Sequence, residues 1–200
     1  MRTLLEQQYA ALSDWLDEVD VSAHLAEPVG LGDWTVRDLI AHLGLGIGLS
    51  RFVTTAPEGA EPLGFGAYVA AYPPHADQIA ADTRAMRDTY GADVIGGFRR
   101  TAAEAFAALD ATPGAVLQAR RGPIARDDYL LTRLTELVVH ADDLARTLGR
   151  DDAPLLPAAV DAVAGALATA YPGEPPDVGL TWIRLATGRV ASDDPALPLL

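Results

Sequence analysis

Apolar residues recur along most of this chain at intervals of three and four, the spacing that places them on one face of an α-helix. Leu4, Leu5, Tyr9, Leu12, Trp15, Leu16 and Val19 trace such a stripe and predict a first helix over about Thr3 to Val19. Pro28, Gly30 and Gly32 break the stretch from Ser22 to Asp33, which reads as a loop. A second helix opens at Asp33-Trp34-Thr35. Thr35 followed three residues later by Asp38 has the form of a capping box, with the acid where the helix dipole favours it. Val36, Leu39, Ile40, Leu43 and Ile47 form its apolar stripe.

Beyond it, Ala56 to Gly66 is rich in Pro, Gly and Glu and reads as an exposed loop, and Tyr68 to Tyr72 as a short helix ending at Pro73-Pro74. A long third helix is predicted over about His75 to Leu109, with a break near Gly91 or Gly96-Gly97. Thr112-Pro113-Gly114 makes a turn, and Val116 to Gly122 is short enough to be extended. Pro123 leads into a fourth helix, about Ala125 to Leu148, stopped by Gly149. Four such helices imply a mainly all-α fold, a bundle over residues 1–152. Asp151-Asp152-Ala153-Pro154 reads as a linker into a short helical extension, 153–200. Helices are expected there over about Pro157 to Tyr171 and Leu180 to Thr187, separated by the Pro-rich Pro172 to Asp177.

Composition narrows the function. Half of the 200 residues are hydrophobic, yet no apolar run reaches the length of a membrane span. Met1 to Gln8 lacks the apolar core of a signal peptide, so a cytoplasmic location is expected. A formal charge of −13 disfavours nucleic acid and anionic membranes as partners and leaves small molecules. With no cysteine in the chain, disulfides, thiolate metal sites and cysteine nucleophiles are excluded, and any metal must be held by His and carboxylate.

Chemistry concentrates on the fourth helix. Glu136 and His140 lie four residues apart, so both stand on one face, a turn apart. They flank a stripe that includes Leu134, Leu137, Val138 and Leu144, where a bare carboxylate is costly unless paired or coordinated. An ExxxH pair is also common by chance, and Glu136 has ordinary ion-pair partners in Arg133 and Arg99. His42, between Ala41 and Leu43 on the second helix, is the best third ligand, or else a satisfied core histidine. Two His and one Glu leave coordination positions open, the catalytic pattern. Asp143 is placed to accept an imidazole N–H. His24 and His75 read as solvated. Gly44, Gly46 and Gly48 do not form a phosphate loop and read as close packing. Ser50 lacks triad partners. Arg84, Arg87, Arg99 and Arg100 are expected to be mostly solvated, with Arg84 or Arg87 a candidate clamp on a substrate carboxylate. Trp15, Trp34 and Trp182 read as packing anchors.

Two phrases carry a resemblance. Asp33-Trp34-Thr35-Val36-Arg37-Asp38-Leu39-Ile40-Ala41-His42-Leu43 and Glu136-Leu137-Val138-Val139-His140-Ala141-Asp142-Asp143-Leu144-Ala145 are similar to the second- and fourth-helix signatures of the mycothiol-dependent maleylpyruvate isomerase family. That family lies within the DinB-like superfamily of metal-binding four-helix bundles. The resemblance covers about residues 1–150. It implies that His42, Glu136 and His140 are metal ligands, that the metal is divalent (zinc above all, with nickel, iron or manganese also compatible), and that mycothiol or a similar thiol is used. The implied activity is thiol-dependent isomerisation or transfer on a small electrophile. A non-catalytic metal- or small-molecule-binding module and a metal-assisted hydrolase are the alternatives. Leu180 to Arg189, with the ending Leu197 to Leu200, resembles the tail of the sterol-carrier-like domain of isomerase relatives. The strands of that domain have no counterpart in the pattern.

Overall fold

The computed structural model describes residues 1–175 and 179–199. Four long helices form its centre: α1 (Arg2–Glu18), α2 (Val36–Gly48), α5 (Val94–Ala111) and α6 (Arg126–Thr147). A shorter α3 (Phe65–Val69) and a long α4 (Ala76–Tyr90) lie between α2 and α5 in the chain, and α7 (Pro157–Ala170) and α8 (Leu180–Ala186) follow α6. The fold is mainly helical, and one continuous core runs from Leu5 on α1 through α2, α5 and α6 to Trp182 and Ala186 on α8.

The local signals explain most boundaries. Thr35 caps α2, and its backbone N–H and hydroxyl both donate to Asp38 Oδ2, at 2.9 and 2.7 Å. The expected long third helix is two helices. Gly91, at φ +57°, ends α4, and the Asp93 carboxylate accepts from the Gly96 N–H to start α5. Gly96 and Gly97 therefore lie inside the first turn of α5 and do not break it. The glycines of α2 serve contact: a Cβ at Gly44 would stand 2.2 Å from the Tyr90 hydroxyl. The short helix expected at Tyr68 to Tyr72 sits earlier, at Phe65–Val69, where Phe65, Tyr68 and Val69 turn inward together.

One element departs from the all-helical expectation. β1 (Thr54–Thr55), β2 (Val116–Ala119) and β3 (Gly122–Ala125) form a small antiparallel sheet in that order. The extended reading of 116–122 holds for β2. Pro123 lies in β3, opposite Gln118, where the pattern placed the lead-in to the fourth helix. An edge strand accommodates proline because its outer N–H needs no partner. The hairpin turn puts Arg120 and Arg121 at its tip.

The residues after α6 pack back on the bundle. Gln8 of α1, fully buried, donates to the Pro154 carbonyl at 2.6 Å and accepts from the Leu156 N–H at 3.0 Å, fixing the connection. α7 lies against α6, α3 and α1, and α8 against α7. The Pro-rich break expected over Pro172 to Asp177 reaches into 176–178, which with Leu200 lie outside the described residues.

Candidate metal centre

α2 and α6 cross where His42 faces Glu136 and His140. The Nε2 atoms of both histidines lie 3.3 Å from Glu136 Oε2, and the rings meet edge to face with centroids 4.8 Å apart. One donor atom from each of the three residues falls within 4.8 Å of the others. Two nitrogen or oxygen ligands at about 2.0–2.1 Å from one ion, at a tetrahedral angle, stand about 3.3 Å apart. The spacing therefore fits a shared ion.

The far side of each imidazole is occupied. His140 Nδ1 donates to Asp143 Oδ2 at 2.9 Å, one turn further along α6. His42 Nδ1 lies 3.1 Å from the hydroxyl of Thr83, a fully buried residue of α4. In the tautomers with the proton on Nδ1, both Nε2 lone pairs point at a carboxylate. Three acceptors then converge with no proton among them, which a cation or an added proton must resolve. Trp34 packs its ring 4.9 Å from His42, so this tryptophan steadies a candidate ligand as well as the loop before α2.

Electrostatics separates the two histidines. Burial lowers the His42 pKa against the opposing pull of Glu136, and the charges of His140 and Arg133 add to the lowering. Burial also disfavours charge on His140, but its hydrogen bonds to Asp143 and Glu136 prevail and raise its pKa. Glu136 is deeply buried, yet the two imidazoles hold it ionised, well below the usual carboxylate range. The Asp143 carboxyl is likewise depressed, by His140 and Arg189 acting against burial. The set offers two imidazole nitrogens, the His140 one after loss of its proton to the ion, and one carboxylate, a donor set suited to a divalent ion.

The structure places the other candidate residues elsewhere. Arg84 forks onto Asp33 and Arg87 pairs with Asp38 and Asp88, and neither borders the cavities beside the triad. The acids at the start of α2 draw these side chains away from His42. Glu136 hydrogen-bonds to neither Arg133 nor Arg99, the latter reaching Ser13 and Asp17 on α1. Arg100 pairs with Asp93, Ser50 shares a hydrogen bond with Tyr129, His24 pairs with Glu27, and His75 is exposed. Residues not singled out by the sequence do reach the site. Tyr72 and Ile79 border the cleft on both sides of the triad. Thr187 and Arg189, from beyond α8, line the cavity of about 160 Å³ at His140. Arg189 Nη2 donates to Asp143 Oδ2 at 2.7 Å, the same oxygen that holds His140.

A family model described as the mycothiol maleylpyruvate isomerase N-terminal domain matches residues 5–145. The chain belongs to this family. No curated protein and no solved structure matches it. Both signature phrases fall inside the matched span, and Glu136 and His140 lie near its end. The match stops before α7 and α8, so Thr187, Arg189 and the segment read as a sterol-carrier-like tail lie beyond it. Among the described residues that segment is α8 followed by irregular chain. Among the described residues no helix is long and apolar enough to cross a membrane.

Proposed function

We propose that the chain is a metal- and thiol-dependent enzyme acting on a small electrophile by isomerisation or transfer. His42, Glu136 and His140 hold the metal, and mycothiol or a similar thiol is the co-substrate. One observation carries this reading: two imidazoles, each tied at Nδ1, aim their free nitrogens at one buried carboxylate. When bound there, a divalent ion, zinc foremost, supplies Lewis acidity that keeps a thiol ionised near neutral pH. The protein's own groups do the rest. Thr83 and Asp143 fix the ring orientations. Glu136 contributes the anionic ligand, and three protein ligands leave a position for sulfur. The Tyr72 hydroxyl accepts from Arg133 at 2.6 Å, which leaves its own proton to donate toward the cleft. Burial raises the Tyr72 pKa to about 12, so that proton stays in place at neutral pH.

Protein purified without a histidine tag is expected to carry about one divalent ion per chain by elemental analysis. It is also expected to bind mycothiol in a titration that His140→Ala abolishes. A metal-free wild-type protein, or thiol binding indifferent to His140→Ala, overturns the reading.

A further inference from the structure

Arg133 is a buried cation whose hydrogen-bond partners are all uncharged. Its residue is 4% exposed, on α6 one turn before Glu136. Its guanidinium donates only to neutral acceptors: Gly46 O at 2.6 Å, Tyr72 Oη at 2.6 Å and Thr132 Oγ1 at 3.1 Å. Among the described residues no carboxylate stands within ion-pair distance. A buried cation without a counter-charge is costly, and a guanidinium has five N–H groups, so donors remain after these three bonds. The internal acids are committed elsewhere: Asp38 to Arg87 and Thr35, Asp142 to Arg184, Asp143 to Arg189 and His140, and Glu136 to the two imidazoles. With a divalent ion on the triad, Glu136 and Arg133 leave this part of the core with a net positive charge.

The space beside Arg133 has a definite shape. On the triad side, the neck shared with His42 and Glu136 holds only about 50 Å³. On the hairpin side a groove of about 460 Å³ opens, walled by Leu45, Leu49, Tyr68, Ala119 and Tyr129 and reaching Phe52 at its lip. Phe52 is a large apolar side chain 72% exposed, with the Arg51 guanidinium 5.5 Å from its ring centroid, and it adds apolar surface at the groove mouth. Arg120 ties the hairpin tip to Asp82 of α4, and Arg121 lies over the Tyr72 ring, so the roof of the neck is held in place.

We infer that Arg133 is the anchor of an anion subsite, and that the substrate is a carboxylic acid with an apolar body. The acid group sits on Arg133 at the neck and the body runs along the groove under Phe52. A compact dicarboxylate would fill the polar end and leave the groove wet. A neutral apolar molecule would leave the guanidinium without a counter-charge. The inference names a substrate class for the proposed enzyme and in that sense rests on that reading, but binding of the acid needs Arg133 and not the metal.

The test is calorimetric titration of the full chain with 4-phenylbutyrate, 4-phenylbutanol and maleate, before and after chelator treatment. The acid is expected to bind roughly tenfold or more tighter than either comparison compound, the worth of a charge-assisted hydrogen bond in a buried site. Binding is expected to survive chelation and His140→Ala. Arg133→Met should erase the preference of acid over alcohol. That substitution removes a group tying α2 to Tyr72, so a variant with an intact core carries the test too: Thr54→Trp, at an exposed strand position on the groove wall, should weaken phenylbutyrate. Equal binding of acid and alcohol, maleate matching the acid, indifference to Thr54→Trp, or a requirement for metal each overturns the assignment. A protein that holds no metal yet still prefers the acid defeats the proposed enzyme and leaves the subsite standing.

Discussion

His42 and His140 come from helices far apart in sequence, and each arrives with its second nitrogen already engaged. Hydrogen bonds of this kind set the tautomer and raise the basicity of the ligating nitrogen. Thr83→Val and Asp143→Ala are therefore each expected to lower metal affinity about 10–100-fold while leaving the ligands in place. Competition with a chromophoric chelator reads the change, and an unaltered affinity in both variants rejects the role given to these partners. The grouping of the three candidate ligands was legible from sequence. The i, i+4 pair of Glu136 and His140 and the phrase around His42 are local patterns. Asp143 shares that legibility because it lies on the same helix. Thr83 and Arg189 were not legible as parts of a centre, since each reaches it through tertiary packing from another element. Trp34 was legible only as an anchor, and its anchoring turns out to be against a candidate ligand.

At the scale of elements, the capped start of α2 fixes where His42 stands, about two turns further along the helix. Thr35→Ala is expected to cost about 1 kcal/mol of stability in chemical denaturation. Asp38 makes this cap pH-dependent. Burial opposes its ionisation, but the bonds from Thr35 and Arg87 outweigh burial and hold its folded pKa below the ordinary value. The stability it contributes is fully present above the unfolded pKa of about 4 and is lost as pH falls through the lower folded value. Urea melts at about pH 6 and pH 3 should show that loss in the wild type and a smaller one in Asp38→Asn. Further along α2, Gly44→Ala would drive a methyl group into Tyr90, whose hydroxyl donates to Thr101 at 2.7 Å. A loss of about 1–3 kcal/mol is expected, read by thermal or urea unfolding. The helices and this cap could be read from period and composition. The hairpin could not. Its strands span four residues each, one contains Pro123, and its pairing with Thr54 and Thr55 joins segments with no periodic signal between them. The split between α4 and α5 was ambiguous because Gly91 and the Gly96-Gly97 pair offered two breakers. Only the Asp93 cap chooses between them.

For the whole molecule, the segment beyond the family match matters because of two adjacent acids. Asp142 and Asp143 are consecutive on α6, both buried, and each receives one arginine from the C-terminal segment. Arg184 of α8 forks onto Asp142 at 2.8 and 2.6 Å. Arg189 reaches Asp143, the partner of His140. The two pairs hold the same segment to the same helix, but only one is connected to the candidate metal centre. Arg184→Met and Arg189→Met should thus destabilise the fold by similar amounts, between about 1 and 3 kcal/mol, since each takes the guanidinium from a buried carboxylate while Arg184 itself stays partly solvated. Their effects on metal affinity should differ. Arg189→Met frees Asp143 to shift and is expected to weaken metal binding several-fold, with partial rescue by Arg189→Lys. Arg184→Met should leave metal affinity near that of the wild type. Denaturation curves and chelator competition on the same three variants separate the two effects. If both substitutions weaken metal binding in proportion to lost stability, the C-terminal segment serves only to close the core. If Arg189 stands apart, the centre extends from the bundle into the chain that follows it.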